Sequence, residues 1–116
     1  MVRKSKDMRI AHGTDFHGGK GTVKMINFLE ESESKGIGRL FCHCIIPAGA
    51  SIGYHQHKGD NEIYYFLKGQ GRVNDNGVEY DVEPGDSMMC YDGDYHSVEN
   101  TGDKDLEFIG VILYSK

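Results

Sequence analysis

The chain has no tryptophan, only two prolines and only three cysteines among its 116 residues. Alanine and leucine are also scarce, with 8 positions between them, whereas valine, isoleucine and threonine occupy 19. β-Branched side chains favour strands because their restricted χ1 angle suits a pleated surface. The shortage of helix-forming residues therefore argues against an α/β layout and predicts an all-β chain, of a length that suits a single domain.

Long apolar runs are absent, and none approaches the roughly 20 residues of a membrane-spanning helix. The charged segment 1–7 is not followed by the apolar stretch of a signal peptide. The net charge of −5 is opposite in sign to the basic surface of most nucleic-acid-binding domains. We therefore expect a cytoplasmic protein with no membrane and no nucleic acid among its partners.

The cysteines are Cys42, Cys44 and Cys90, an odd number with two of them a single residue apart. This usage disfavours a disulfide framework and suits a reducing compartment. The run Cys42-His43-Cys44 resembles half of a zinc site, but no second cysteine pair follows it. We expect the cysteines to be buried and to act as small apolar residues on strands.

Short apolar runs recur along the chain and are separated by turn residues. The strongest hairpin signal is Asn76-Gly77, since a type I′ turn needs positive φ at both central positions. Many short strands in a chain of this length predict a sandwich or a barrel. The nine predicted strands are Thr22–Leu29, Gly38–Ile46, Ser51–His57, Glu62–Lys68, Gly71–Asn74, Val78–Val82, Ser87–Tyr91, His96–Asn100 and Leu106–Tyr114.

A candidate metal site begins with His55 and His57. Alternation along a strand places both side chains on one face, with Cα atoms roughly 6.6–7 Å apart, close enough to share an ion. A turn at Asp60-Asn61 would bring the Glu62 carboxylate beside them as a third ligand. Imidazole and carboxylate together suit one divalent transition metal, namely Mn, Fe, Co, Ni, Cu or Zn. A solvated polar strand face is the alternative for the histidine pair alone.

The first motif extends this pattern to five residues, Gly49, His55, His57, Glu62 and Gly69, which fit the spacing G-x5-H-x-H-x4-E-x6-G at every position. In this spacing the chain resembles the cupin superfamily. The resemblance implies a double-stranded β-helix, which is a small jelly-roll barrel.

The second cupin motif, G-x5-P-x-G-x2-H-x3-N, is matched by Gly85, Gly93, His96 and Asn100. Tyr91 stands where this motif has proline, which alters a turn and removes no ligand. The resemblance implies that His96 completes a metal site of three histidines and one glutamate. We expect Asn100 to be a turn residue that bonds the backbone.

The resemblance leaves function open between two classes. Cupins with this ligand set include dioxygenases, decarboxylases and sugar isomerases, and other cupins only bind small molecules or act as sensors. A six-coordinate ion would keep two positions for a bidentate ligand. We expect a metal-dependent cupin that acts on a small, polar, oxygen-rich molecule such as a hydroxy acid, a diacid or a sugar. The alternative is a non-catalytic binding or sensor module with a structural metal.

Alternation from Glu62 also assigns its neighbours. Tyr64 and Phe66 face the interior, and three residues face outward, namely Ile63, Tyr65 and Leu67. Tyr64 is a candidate catalytic group, because its phenol could donate to a bound oxygen, although an aromatic residue at this position more often serves packing.

Three further histidines and two further tyrosines are also assigned from the sequence. We expect His12, His17 and His43 to be surface residues or satisfied core residues. Tyr54 and Tyr95 each precede a candidate ligand and should point away from the metal.

The N-terminal third matches no motif. Residues 1–21 predict an arm or an edge strand, and the polar residues 30–35 predict an exposed loop. We expect residues 1–35 to pack on a barrel formed by residues 36–116. The outward face of residues 62–68 and the apolar strand 108–113 predict a homodimer, because they supply more apolar surface than one small barrel covers.

Overall fold

The computed structural model describes all 116 residues, in ten strands joined by short turns and by three single-turn 3₁₀ helices. The helices are Ser5–Asp7, Phe16–Gly18 and Glu31–Glu33. None of them has the length and apolar character that crossing a membrane requires. The strands are β1 (Arg9–Thr14), β2 (Thr22–Asn27), β3 (Gly38–Ile46), β4 (Ser51–Gln56), β5 (Asp60–Lys68), β6 (Gly71–Asp75), β7 (Val78–Val82), β8 (Ser87–Cys90), β9 (Tyr95–Asn100) and β10 (Leu106–Tyr114).

Two antiparallel sheets face each other. One has six strands in the order β1-β2-β3-β10-β5-β8, and the other has four in the order β4-β9-β6-β7. The chain crosses between the sheets after β3, β4, β5, β7, β8 and β9, so strands that follow one another often belong to opposite sheets. This alternation is typical of a jelly roll, and the all-β prediction is confirmed.

The core lies between the sheets and follows the alternation of the strands. On β5, Tyr64 and Phe66 are buried, while Ile63, Tyr65 and Leu67, which alternate with them, are exposed, as the period of two predicts. Cys42, Cys44 and Cys90 are buried and free. Burial of each large core side chain contributes roughly 1.5–3 kcal/mol to stability.

The turn between β6 and β7 has the conformation that its sequence predicts. Asn76 and Gly77 have φ angles of 51° and 94°, and Asp75 pairs with Val78 across the turn. The Asn74 side-chain oxygen accepts a hydrogen bond from the Gly77 amide at 2.7 Å. This hairpin brings β7 to the edge of the four-stranded sheet.

Residues 30–35 form more than the exposed loop that was expected. Glu30 and Glu33 make a reciprocal capping box around the third 3₁₀ helix, and Arg3 forms two hydrogen bonds with the Glu33 carboxylate. Ser34 is buried, and its hydroxyl donates to the Gly38 carbonyl at 2.8 Å. Glu31, Ser32 and Lys35 are exposed, as expected of a loop, whereas the buried Ser34 hydroxyl bonds the backbone.

Candidate metal centre

The four side chains singled out from the sequence come together between the two sheets. β4 carries His55 and β9 carries His96, directly opposite each other in the pairing of these strands. His57 follows β4, and Glu62 projects from β5 in the facing sheet. The ligand atoms of all four residues lie within 4.8 Å of one another. Three of the side chains are at most 5% exposed, and His55 is partly buried.

Hydrogen bonds to the Nδ1 atoms orient two of the imidazoles. His55 Nδ1 lies 2.8 Å from the Gly53 carbonyl oxygen, and His57 Nδ1 lies 2.7 Å from an Asp60 carboxylate oxygen. Because a carbonyl and a carboxylate only accept, both Nδ1 atoms carry the proton. In the neutral rings, Nε2 of each residue is then the atom with a free lone pair.

The Nε2 atoms of His57 and His96 converge on the Glu62 carboxylate. His57 Nε2 lies 3.0 Å from Glu62 Oε1 and 3.1 Å from His96 Nε2, and His96 Nε2 lies 3.1 Å from the same oxygen. A neutral His57 would direct its lone pair at a carboxylate oxygen, which is repulsive unless a proton or a cation lies between them. Buried imidazole and carboxylate donors in this arrangement fit a divalent metal ion.

The pKa directions describe the electrostatics of the cluster. Burial raises the pKa of Glu62, but hydrogen bonds with His57 and His96 outweigh it and hold the pKa below its usual range. The hydrogen bond with Glu62 raises the pKa of His57, against the opposing effect of burial. Burial lowers the pKa of His55 to about 4. The cluster thus keeps an ionised carboxylate that attracts positive charge.

His96 is held by packing instead of hydrogen bonding at its second nitrogen. Its Nδ1 is buried and has no protein partner. The Tyr64 ring stacks on the imidazole with centroids 5.2 Å apart and planes inclined by 26°. Tyr64 therefore contributes to the orientation of His96 as well as to the core.

Asp60 has a role that the sequence analysis missed. It was expected only to turn the chain before Glu62. It instead begins β5, and its carboxylate accepts a hydrogen bond from His57 Nδ1–H. Its other oxygen accepts from Arg39 Nε at 2.7 Å. An orienting carboxylate behind a metal-binding histidine fixes the tautomer and raises ligand basicity. In the sequence, the only indication of this role was that a short acidic side chain lies three residues after the candidate ligand His57.

His17 is exposed, as expected of a surface residue, but it also contacts the site. Its exposed imidazole stacks on that of His55 at the mouth of the site. The backbone of residues 17–19 lies tightly against β4. A Cβ atom on Gly53 would lie 2.1 Å from the His17 carbonyl oxygen, so glycine is required for this approach. No local pattern links residues so distant in sequence.

A cavity of about 350 Å³ opens beside the cluster. Tyr64 lines it and is 3% exposed, and burial together with the Glu62 charge raises the pKa of Tyr64 well above its ordinary value. The phenol is therefore a hydrogen-bond donor at neutral pH. The other polar groups in the lining come from His17, Arg39 and Gln56, and much of the rest is apolar, including Met25, Leu40, Ile52 and Phe108.

The remaining aromatic and histidine side chains lie where they were expected. His12 is exposed on β1, and His43 is satisfied by Glu107 through a 2.8 Å hydrogen bond. Tyr54 and Tyr95 are exposed and stack on each other with centroids 5.4 Å apart.

Asn100 bonds the backbone as expected, but it is buried and joins separate segments. Its amide nitrogen donates to the carbonyls of Ile46 and Lys104, and its oxygen accepts from the Gly102 amide. Tyr91, which replaces the motif proline, donates its backbone N–H to the Asp94 carboxylate at 3.3 Å. Proline has no N–H to make this bond.

Comparisons with known proteins agree with this architecture. A family model described as "Cupin domain" matches residues 42–112. The oxalate-binding protein of Thermotoga maritima is 40% identical over 113 residues, which cover 97% of this chain and 93% of that protein. The crystal structure of a predicted oxalate decarboxylase from Thermotoga maritima superposes with a TM-score of 0.94 at 39% identity, covering 99% of this chain and 100% of the other.

A more distant relative matches only part of its own length. The 5-nitrosalicylic acid 1,2-dioxygenase of Bradyrhizobium sp is 38% identical over 77 residues, or 63% of this chain and 37% of that enzyme. The family model spans more than half of this chain, and the oxalate-binding relative spans nearly all of it. Together with the two motifs and the jelly-roll fold, these matches establish that the chain belongs to the cupin family.

Proposed function

We propose that this protein binds a small dicarboxylate of the oxalate class through a divalent transition metal held by His55, His57, Glu62 and His96. One observation carries the proposal: these ligand atoms lie within 4.8 Å of one another, and His55, His57 and Glu62 line a cavity. The 40% identity to an oxalate-binding protein over nearly the whole chain supports the choice of ligand class.

The charge of the site favours an anionic ligand. Three neutral imidazoles and one carboxylate leave a divalent ion with a net charge of about +1. A metal bound there would act as a Lewis acid that accepts oxygen atoms of the ligand. Oxalate offers two carboxylates on adjacent carbons, which suits bidentate binding.

The other cavity groups of this chain suit binding. Tyr64 keeps its proton and donates to a ligand oxygen. Burial raises the pKa of the Cys42 thiol to about 12 and that of Cys44 well above its usual value. Both thiols therefore stay neutral and form apolar surface, and neither acts as a nucleophile.

One observation favours a catalytic alternative, decarboxylation. Conversion of monoprotonated oxalate to carbon dioxide and formate breaks the carbon–carbon bond and forms a carbon–hydrogen bond, so a proton must be delivered beside the ligand. His17 brings an imidazole outside the four-residue cluster into the same cavity. Imidazole is the usual side chain for such proton transfer near neutral pH.

Calorimetric titration of oxalate into metal-free, Mn²⁺-loaded and Zn²⁺-loaded protein tests the proposal. We expect oxalate to bind only to metal-loaded protein and not to a His57→Ala variant, with His43→Ala as the matched control outside the cluster. Failure of oxalate to bind any metal-loaded form would disprove the proposal. Formate release by metal-saturated wild-type protein that is lost in His17→Ala of equal metal content would assign the catalytic alternative.

A further inference from the structure

Gly110 interrupts β10, whose other residues are bulky and, apart from Glu107, mainly apolar. It pairs with Cys42 on β3 and with Tyr64 on β5, in the middle of the six-stranded sheet. Glycine weakens a strand interior, and it often marks a place where a ligand approaches closely. Gly110 is buried on the inward face and lines the cavity beside the metal cluster.

The backbone does not require glycine at this position. Gly110 is not among the glycines with positive φ. An added Cβ atom would lie 3.6 Å from Cys42 Sγ and Tyr64 Cε1, and 3.7 Å from Glu62 Oε2, which are ordinary van der Waals distances. At Gly38, by contrast, a Cβ would lie 2.4 Å from a backbone oxygen. Packing therefore does not demand glycine at this position, where an added Cβ atom would contact three side chains at the lining of the cavity.

The cavity is larger than oxalate requires. Its volume of about 350 Å³ falls in the range of roughly 300–1,000 Å³ that is typical of pockets for drug-sized ligands. Oxalate has only six non-hydrogen atoms. The lining beyond the cluster is mainly apolar, and β10 itself contributes Phe108 and Ile112 on either side of Gly110. A dicarboxylate alone would leave this apolar surface without a partner.

We propose that the cavity takes a 2-oxo or 2-hydroxy acid with an apolar side chain, whose carboxylate and adjacent oxygen face the metal cluster while the side chain lies over Gly110. This inference rests on the proposed function for the chelating end of the ligand. It extends the ligand class from oxalate to larger, amphipathic acids. Gly110 is then the residue that determines specificity, because the size of its side chain sets the space for the apolar part.

A homologous series of 2-oxo acids tests the inference by binding alone. Glyoxylate, pyruvate, 2-oxobutyrate, 2-oxovalerate and phenylpyruvate share one chelating end and differ in apolar length. Each is titrated calorimetrically into Mn²⁺-loaded wild-type protein, with oxalate as the reference. We expect the Kd to fall about fourfold for each methylene that becomes buried, until the cavity is full.

Gly110→Leu is the informative variant, and Gly110→Ala is its conservative control. In Gly110→Leu, we expect the Kd for 2-oxovalerate to rise at least tenfold more than the Kd for oxalate does. Gly110→Ala should show a smaller loss for the long acids. Metal content and circular dichroism are measured on both variants. Should Gly110→Leu not fold, the alanine variant and the wild-type series still decide the question.

The outcomes separate this inference from the proposed function. If oxalate binds and the Kd rises as the side chain of the acid lengthens, the cavity does not take apolar groups and only this inference is overturned. If the gain from longer acids survives in Gly110→Leu, the side chain lies elsewhere and the role of Gly110 is overturned. If neither oxalate nor any 2-oxo acid binds the metal-loaded protein, the proposed function fails, and this inference fails with it.

Discussion

The imidazole of His17 stacks on the imidazole of His55, with ring centroids 3.8 Å apart and planes inclined by only 10°. His55 is the least buried of the four cluster residues, so it has the greatest freedom to turn. The hydrogen bond between His55 Nδ1 and the Gly53 carbonyl oxygen fixes the in-plane orientation of the His55 imidazole. The stack covers one face and restricts rotation, so the N-terminal segment helps to position the cluster.

We expect His17→Ala to weaken metal binding by about 2- to 10-fold, since aromatic pairs contribute roughly 0.5–1.5 kcal/mol beyond their buried area. His17→Phe keeps a ring over His55 and should bind metal as wild type does. Competition with a fluorescent chelator measures both affinities. A phenylalanine variant as weak as the alanine variant would show that stacking is not the contribution of His17.

His57→Ala should abolish stoichiometric metal while leaving a β-rich circular dichroism spectrum. His57 is 2% exposed and contacts both Glu62 and His96, so its removal takes away the central donor of the cluster. Elemental analysis of protein purified without a metal-chelating tag measures the content. Unchanged metal content in this variant would refute the ligand assignment.

Asp60→Asn tests the orienting carboxylate. The amide oxygen can still accept the His57 Nδ1 proton, but the negative charge that Arg39 also contacts is lost. We expect metal affinity to fall about 10- to 100-fold, as is typical for partners behind metal ligands. Asp81→Asn is the matched control, because Asp81 pairs with Arg72 on the exposed surface. An equal loss in both variants would point to a general charge effect.

The cysteine thiols should resist alkylation in the folded protein. Burial raises the pKa of Cys42 and of Cys90 to about 12, so little reactive thiolate forms at pH 8. Iodoacetamide followed by mass spectrometry should show no adduct on the native chain and three after unfolding in guanidinium, one for each free cysteine. Rapid native labelling of Cys42 would contradict its burial.

The raised pKa values of Cys42 and Cys90 predict that the free energy of unfolding falls as the pH rises into the alkaline range. Between the ordinary thiol pKa near 9 and the raised value of about 12, the unfolded chain releases protons that the folded chain keeps. The contribution of these two thiols to the free energy of unfolding is therefore fully present below pH 9, and it is lost as the pH rises from 9 towards 12. Denaturant titrations at pH 8 and pH 10.5 measure the fall in the free energy of unfolding.

The outer face of the six-stranded sheet predicts a homodimer. Tyr65 on β5 is 49% exposed, and Met89 on β8 is 46% exposed and pairs with Ile63. Ile109 and Val111 on β10 extend this apolar surface across the pairing with β5. Light scattering should report about 26 kDa, twice the chain mass of 13.0 kDa.

Tyr65→Glu should give the monomer mass, because it places a charge in the centre of this face. Tyr80→Glu is its control, since Tyr80 lies on β7 in the other sheet and is 54% exposed, close to the 49% of Tyr65. A mass of about 13 kDa for the wild type at micromolar concentration would refute the dimer.

The sequence by itself determined the features that depend on local periodicity and on turn chemistry. Alternation on β5 placed Tyr64 and Phe66 inside, because successive side chains of a strand must point to opposite faces. Asn76-Gly77 specified its hairpin, since few residues tolerate positive φ at both turn positions. The candidate metal ligands His55, His57, Glu62 and His96 were singled out together through the resemblance of two spaced motifs to the cupin pattern.

Only the tertiary structure decided the contacts made by segments far apart in the chain. The approach of residues 17–19 to β4 brings His17 onto His55, and strand pairing brings Gly110 between Cys42 and Tyr64. Neither of these contacts follows from the spacing of residues in the sequence, because each forms only when the strands have assembled into the two facing sheets. The volume of the cavity beside Glu62 likewise depends on the tertiary structure, since the side chains that line the cavity come from both sheets.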